Sequence, residues 1–307
     1  MTERTRGNLK KYGFIAAVFA YPTILFLIFY VGVNLNSIIM AFQTTNLDGT
    51  TIFAGFANFK EFFSQLTNAA DTVSRSFWNS ILMFAVTTLI TFPLNIIFSY
   101  YLYKKFWAYK FIRFVVMVPA IVSGFIFALL FSKFVEQGVP TLLQNLFRVS
   151  DPPRLLFDEK YAFGTTIFFS IWTSFSTSLI IYSNAMGQIS DEIVESAQID
   201  GASMFRELWS IVLPQIYPTI TTFLITSLSG IFTSTGAVLT FYMYEAPPSV
   251  QLFGYYITQQ VILQASNSRI VYPVLAAGGL VITLVTAPIV FGVKYWLDRR
   301  DPMTGGV

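Results

Sequence analysis

Six long apolar runs, separated by shorter polar segments, dominate the hydrophobic pattern of the chain. They cover residues 14–40, 77–103, 112–134, 165–186, 217–240 and 272–296. Each reaches the roughly 20 apolar residues that a helix needs to cross the hydrocarbon core of a bilayer. The first is longer than the apolar region of a signal peptide, so we expect an uncleaved helix there. The pattern predicts an all-α integral membrane protein with six transmembrane helices.

The distribution of Lys and Arg orients these helices. With the N-terminus in the cytoplasm, twelve of the 19 Lys and Arg residues fall in cytoplasmic segments and seven in external ones, as the positive-inside rule requires. We therefore predict a basic cytoplasmic N-terminus over 1–13, a six-span domain over 14–296 and a cytoplasmic tail over 297–307. The external loops would cover roughly 43–76, 135–164 and 241–271.

Composition supports a membrane protein and excludes several kinds of chemistry. Hydrophobic residues make up 54% of the chain and charged residues only 11%, against about 25% charged in a soluble domain. The chain has no Cys and no His, so it lacks a thiol nucleophile, the commonest general base and the commonest metal ligands. It contains no G-x-x-x-x-G-K-[ST] loop for ATP, and a net charge of +3 does not indicate nucleic acid. We predict a chain that is not an enzyme and binds no metal or cofactor itself.

The cytoplasmic loop 187–213 departs from the basic character of the other inside segments. It has one basic residue, Arg206, and five acidic residues: Asp191, Glu192, Glu195, Asp200 and Glu207. Such a loop is poorly attracted to anionic headgroups. An apolar stripe at helical spacing runs through Val194, Ala197, Gly201, Phe205, Leu208 and Val212. Two short helices meeting at Asp200 and Gly201 fit this pattern. Such a helix pair is expected either of a linker that lies at the membrane interface or of a segment that docks on another protein.

The residues of this loop form a motif at fixed spacing. Glu195-Ser196-Ala197, three residues, Gly201, nine residues and Ile211-Val212-Leu213-Pro214 resemble the E-A-A-x3-G-x9-I-x-L-P signature. That signature is typical of permease subunits of binding-protein-dependent ABC importers. Ser196 stands where this family more often has Ala, which exchanges one small residue for another.

Further segments resemble the carbohydrate-uptake branch of that family, which includes the maltose and glycerol-phosphate types of permease. They are Asp200-Gly201-Ala202-Ser203, Ala57-Asn58-Phe59, Phe77-Trp78-Asn79-Ser80 and Val118-Pro119-Ala120-Ile121-Val122-Ser123. The segment Ser234-Thr235-Gly236-Ala237-Val238 departs from the T-x-G-G-P element common in the branch. This departure leaves the substrate subgroup open.

The resemblance implies that the loop is a coupling helix docked on a cytoplasmic ATPase. The residues so implied are Glu195, Ser196, Ala197, Asp200, Gly201, Ala202, Ile211, Leu213 and Pro214. It also implies two ATPase subunits that carry ATP and Mg, an extracytoplasmic solute-binding protein and a second permease subunit, which in this branch is usually a different chain. The location would be the bacterial inner membrane.

Polar side chains inside the fourth and fifth runs are candidates for the solute pathway. Hydroxyls in a membrane helix often bond to their own helix or to a neighbour; alternatively they line a water-filled path, with aromatic rings stacking on sugars. The candidates are Trp172, Ser174, Phe175, Ser178, Asn184, Thr226, Ser229, Phe232 and Thr233. No charged residue lies deep in a run, which favours a neutral solute such as a carbohydrate. An amino acid, phosphate or polyamine importer, or an ion-coupled carrier, remains as an alternative.

Overall fold

The computed structural model is mostly helical, as the apolar pattern predicts. It describes residues 3–45, 50–265 and 268–303, and leaves the side chains of residues 3–10, 120 and 268–270 undescribed. The charged groups of Arg4, Arg6, Lys10 and Arg269, which enter the predicted orientation, therefore lie outside the described part. The chain divides into two compact units.

The first unit comprises Met1–Ser64 and Gln264–Thr283. Its helical elements are α1 (Glu3–Leu25), a π-helical turn (Phe26–Gly32), α2 (Val33–Ala41) and α3 (Ala57–Thr67). Strands β1 (Gln43–Thr45) and β2 (Thr51–Phe53) pair antiparallel between α2 and α3. The buried Asn58 amide donates to the carbonyls of Ala41 and Gln43 at 2.8 and 2.7 Å. The Ala57-Asn58-Phe59 segment thus ties α3 to the end of α2.

The second unit comprises Gln65–Leu263 and Leu284–Val307. Its helices up to the predicted coupling loop are α4 (Thr72–Tyr103), α5 (Tyr109–Ile121), α6 (Gly124–Lys133), a π-helical turn (Phe134–Gly138), α7 (Val139–Phe147) and α8 (Glu159–Met186). Helix α4 packs along α8, where the buried Ser99 hydroxyl donates to the Leu179 carbonyl at 3.2 Å.

The remaining elements begin with the predicted coupling loop. They are α9 (Asp191–Ile199), α10 (Met204–Glu207), a π-helical turn (Leu208–Val212), α11 (Leu213–Gln215), α12 (Tyr217–Ser229), α13 (Val238–Tyr242), α14 (Phe253–Leu263) and α15 (Ser268–Asp298). Helix α15 begins in the first unit and ends in the second.

Within the described residues, five helices are long and apolar enough to cross a membrane. They are Lys11–Ala41, Thr72–Tyr103, Gly124–Phe147, Glu159–Met186 and Val271–Asp298, and the bent pair Met204–Gln215 and Tyr217–Ser229 makes a sixth if it is one span. The all-α membrane fold is therefore confirmed. The first, second, fourth and sixth predicted runs each lie within one of these helices.

The third predicted run, 112–134, is not one helix. Val122 and Ser123 adopt extended backbone angles between α5 and α6. Pro119 has no N–H to continue the helical ladder, and Ser123 occupies the N-cap position of α6. The candidate span begins at Gly124 and continues through α7, so the region predicted as an external loop from residue 135 begins with helix.

The fifth predicted run, 217–240, is also wrong in its extent. Helix α12 ends at Ser229, with Gly230 at its C-cap. Residues 230–237 then form turns in which Gly236 has a φ of +55°, and the Ser234 hydroxyl accepts from the Gly236 N–H at 3.1 Å. Ser, Thr and Gly are weak helix formers. The mean hydropathy of the run therefore gives no sign of a break in the helix that the local residue types favour.

Two apolar clusters hold the second unit together, one on each side of the polar middle of α4. The first, called the outer cluster, contains Met83, Phe131, Phe169, Tyr242 and Tyr255 among others. The second, called the inner cluster, joins α4, α8 and the predicted coupling loop through Ile96, Tyr100, Tyr182, Met186, Ile189, Val194, Leu208, Val212, Ile216 and Ile220.

The start of α4 fixes the segment that precedes α14. The Asn79 amide lies 3.0 Å from the Gln251 carbonyl and 3.1 Å from that of Ser249, and the Ser80 hydroxyl accepts from the Phe253 N–H at 2.8 Å. At Gly254, a Cβ atom would lie 2.6 Å from the Ser234 carbonyl oxygen. The backbone turn after α12 therefore approaches α14 at a distance that only glycine permits.

We expect Gly254→Ala to destabilise the protein by about 1–3 kcal/mol, because the new methyl group meets backbone atoms that cannot rotate away. The thermal unfolding midpoint of the purified protein in detergent measures this loss. Gly279→Ala is the matched control, since a Cβ there has no neighbour within 4 Å. Equal midpoints for the two variants would contradict the close approach.

Candidate functional site

The predicted coupling loop is a rigid pair of helical segments joined by a glycine turn. Helix α9 ends at Ile199, and Gly201 has a φ of +75°. The Ala202 N–H donates to the Ala197 carbonyl at 2.9 Å and the Gly201 N–H to the Gln198 carbonyl at 3.0 Å. These two bonds form a Schellman motif, in which a left-handed glycine closes a helix.

The second segment restarts directly after this turn. Ser203 is the N-cap of α10, and its hydroxyl accepts from the Arg206 N–H. The chain stays helical through α11, then bends by 70° at Ile216 into α12. Pro218 cannot donate to the Pro214 carbonyl four residues earlier, which weakens the helix at this bend. The sequence-based expectation of two short helices is confirmed.

One face of the loop packs against the inner cluster. Val194, Ala197, Leu208 and Val212 are buried, as the apolar stripe predicts. The stripe is wrong at Gly201, which is exposed in the turn, and at Phe205, which is 72% exposed because this turn shifts the helical register between the two segments. Five large apolar side chains of the loop are exposed: Ile193 in the first helix, and four from the end of that helix onward, called here the apolar patch, which are Ile199, Met204, Phe205 and Trp209.

The acidic residues of the loop separate into two groups. Asp191, Glu192, Glu195 and Asp200 are exposed. Glu207, which the sequence analysis groups with them, is only 2% exposed. Its Oε1 lies 2.5 Å from the Nζ of Lys104, at the end of α4. The acidic surface of the loop is therefore confined to its first helix and the turn that follows it.

The residues implied as ATPase contacts occupy different positions within the loop. Glu195, Ser196, Asp200 and Gly201 are exposed, while Ala202, Ile211, Leu213 and Pro214 are half-buried. Ala197 is buried in the loop base. A Cβ on Gly201 would meet no atom within 4 Å, so within this chain the glycine serves the backbone turn rather than a close approach.

A cavity of about 350 Å³ lies between α4, α8, α12 and the turns after α12. From α4 it is lined by Ser80, Met83, Phe84, Thr87, Thr88, Thr91, Phe92 and Asn95. Thr91 and Asn95 are 7% and 3% exposed. Their Oγ1 and Oδ1 atoms are buried without a hydrogen-bond partner among the described residues, and such atoms are costly to leave unpaired.

Of the nine predicted pathway residues, the structure places Ser174 and Ser178 on the cavity wall. Trp172 instead packs against Phe127, with ring centroids 5.0 Å apart, and Phe175 against Phe98 at 5.2 Å. Phe232 stacks on Phe77 at 4.8 Å. The other four are exposed in this chain: Asn184, Thr226, Ser229 and Thr233.

The hydroxyl groups of α8 and α12 mostly donate to their own helix. Ser174 donates to the Ile171 carbonyl at 3.1 Å, and Ser178 to that of Ser174 at 3.2 Å. Thr226 and Ser229 do the same within α12. A hydroxyl that donates to the backbone keeps its oxygen lone pairs, so the two on the cavity wall can still accept a hydrogen bond.

Sequence reasoning missed the α4 wall and the Lys104–Glu207 pair. The α4 residues Ser80, Thr87, Thr91 and Asn95 recur at spacings of seven, four and four residues, a polar stripe at helical spacing that is readable in the second run. No such signal marks the ion pair, because its partners are about a hundred positions apart in sequence.

Comparisons with known proteins identify the family to which this chain belongs. The family model described as "Binding-protein-dependent transport system inner membrane component" matches residues 92–301. The probable ABC transporter permease protein YurN of Bacillus subtilis is 26% identical over 71% of this chain and 75% of its own length. The arabinooligosaccharides transport system permease protein AraP of the same organism is 24% identical over 70% of this chain and 68% of its own.

A solved structure shares the fold over nearly the whole chain. It belongs to a bacterial ABC transporter involved in the import of the acidic polysaccharide alginate. It has a TM-score of 0.78 and 23% identity, and covers 97% of this chain and 99% of its own. A second structure of a bacterial alginate ABC transporter, in complex with a periplasmic protein that carries an alginate pentasaccharide, gives a TM-score of 0.77 and 22% identity.

We expect Gly201→Ala to loosen the loop by about 1–2 kcal/mol, because a residue with a Cβ resists the left-handed conformation. Amide hydrogen exchange across residues 191–207 measures this directly and should become several-fold faster. Gly201→Asn should lie closer to wild type, since Asn tolerates positive φ. Gly187→Ala, at a φ of −70°, serves as the control, and loop exchange as slow in Gly201→Ala as in this control would refute the expectation.

Proposed function

Because this chain belongs to the family of binding-protein-dependent transport system inner membrane components, we propose that it forms one half of the membrane pathway of an ATP-driven carbohydrate importer. Family membership confirms the resemblance that the loop motif indicates. The observation that carries the mechanism is the loop between α8 and α12, whose base is buried and whose opposite face is exposed, acidic and apolar.

The exposed face of the loop has the properties of a protein interface. The apolar patch places two aromatic rings side by side, with Phe205 and Trp209 centroids 5.8 Å apart. Aromatic side chains in such positions contribute most to protein–protein affinity. The exposed carboxylates of the first helix, including Glu195, would pair with basic residues of the partner and orient it. We assign this face to a cytoplasmic ATPase subunit.

The loop is built to pass on movement. Helix α9 follows α8 after a short turn, and α10–α11 continue into α12 through the bend at Ile216. Since the Schellman turn and the inner cluster hold the two segments as one body, a displacement of the ATPase moves the ends of both membrane helices. Two ATPase subunits would bind and hydrolyse ATP with Mg. This chain would supply the surface on which an ATPase subunit docks and one half of the solute pathway.

The cavity suits a neutral, hydroxyl-rich solute. Its described lining offers hydroxyl groups, the Asn95 amide and aromatic rings such as Phe92 and Phe223, and no charged side chain. A sugar presents many hydroxyls to such a wall and apolar faces to the rings. Relatives named for multiple-sugar and arabinooligosaccharide transport support this solute class. A second permease chain would close the pathway, and an external binding protein would deliver the sugar.

We expect Phe205→Ser to weaken the affinity of the tagged chain for the ATPase subunit by about thirtyfold, and so to lower the amount that co-purifies, because an aromatic contact buried at an interface contributes roughly 2 kcal/mol. Phe147→Ser is the matched control, since Phe147 is equally exposed at 72% but lies at the end of α7. ATP-independent uptake by vesicles that hold this chain alone would refute the proposed function as a whole.

We expect Asn95→Leu to raise the sugar concentration for half-maximal uptake by about threefold to tenfold, because one hydrogen bond to a neutral hydroxyl contributes about 0.5–1.5 kcal/mol. Uptake of labelled sugar into vesicles with the assembled transporter measures it. Asn184→Leu makes the same exchange at an exposed position outside the cavity and should leave uptake unchanged. If only Asn184→Leu impaired uptake, the pathway would lie elsewhere.

A further inference from the structure

Glu207 is a buried charged residue that pairs with Lys104, and the proposed function gives this pair no role. It lies in the second segment of the loop, and the Lys104 that it meets is itself only 17% exposed. Lys104 is the C-cap residue of α4. The ion pair therefore joins the loop to a membrane helix from which it is separated by a long stretch of chain.

Additional contacts support the same junction. The Tyr100 hydroxyl donates to the Met204 carbonyl at 3.3 Å, which ties α4 to the first residue of α10. The rings of Tyr100 and Tyr103 lie 5.8 Å from the Lys104 ammonium, a distance at which an aromatic face attracts a cation. A buried pair so enclosed resists separation, because each charge left alone would lack both water and a counter-charge.

The same helix carries the polar wall of the cavity. Asn95 lies nine residues before Lys104, which is about 13 Å along a helix. Pro93 stands inside α4 between Thr91 and Asn95, and its missing N–H removes one hydrogen bond of the helical ladder. The helical ladder of α4 is therefore interrupted in the stretch that lines the cavity, and Lys104 lies on the loop side of this interruption.

We propose that the Lys104–Glu207 pair couples α4 to the loop, in addition to α8 and α12, which the chain connects to it directly. Movement of the loop then displaces α4 and changes the shape of the cavity wall at Thr91 and Asn95. The proposal rests on the coupling function assigned above to the loop. Covalent connection alone would move α8 and α12. The inner cluster already packs α4 against the loop, and the ion pair adds a charged link to this helix, which carries the two unpartnered polar atoms of the cavity wall. Lys104 and Glu207 are thus positioning residues, and neither lines the cavity.

The test compares variants in the assembled transporter, reconstituted in vesicles with its ATPase, partner permease and binding protein. Glu207→Gln removes the charge and keeps the shape, while Tyr100→Phe removes only the hydroxyl. We expect Glu207→Gln to lower the solute transported per ATP hydrolysed by at least about fivefold, the smallest common coupling between sites, with a smaller fall for Tyr100→Phe. The charge exchange Lys104→Glu with Glu207→Lys should restore much of the ratio.

Asp298→Asn is the matched control, because Asp298 pairs with Lys294 on the exposed surface of α15 at 3.9 Å, and it should leave the ratio unchanged. An unchanged ratio in Glu207→Gln, whether or not less complex assembles, would show a purely structural role and overturn the inference. Failure of the wild-type complex to couple uptake to ATP would instead remove the proposed function, and the inference with it.

Discussion

A membrane helix must satisfy its polar groups within the protein, because the hydrocarbon core offers no water to do so. This constraint accounts for most features of the chain. It explains why the spans are helical, and why hydroxyls such as those of Ser174 and Thr226 donate to carbonyls of their own helix. It also explains why a break such as that after α12 is closed by side-chain bonds like that of Ser234. At two of the positions where the constraint is not met, Thr91 and Asn95, the structure has a cavity.

The two apolar clusters stabilise different parts of the second unit. The outer cluster, with the bonds of Asn79 and Ser80 to the segment before α14, fixes the end of the unit opposite the loop. The inner cluster binds the loop base to α4 and α8. The cavity lies between the two clusters, and its wall includes Met83 of the outer cluster and Tyr182 of the inner cluster.

The loop combines rigidity with exposure in a way that a simple connection does not need. Its turn uses a glycine at positive φ, its second segment has its own N-cap, and its base is buried. The apolar patch on the opposite face has no partner within the described chain, although exposing Phe205 and Trp209 to water is unfavourable. The interface proposed above would cover these side chains, and the family to which the chain belongs is that of the inner membrane components of binding-protein-dependent transport systems.

The sequence by itself determined the membrane class, the helical fold, the family and the two short helices of the loop, because each depends on local periodicity or on fixed spacing. It also contained the polar stripe of α4, which was readable from Ser80 to Asn95. The breaks at Val122–Ser123 and after Ser229 follow from local residue types, but a hydropathy average conceals them. Only the tertiary structure decided that Glu207 is buried against Lys104, that Phe205 is exposed and that Trp172 packs away from the cavity. The exposure of Phe205 follows from the register shift at the Gly201 turn, and the other two depend on contacts between separate helices; a pairing across about a hundred residues leaves no periodic signal in the chain.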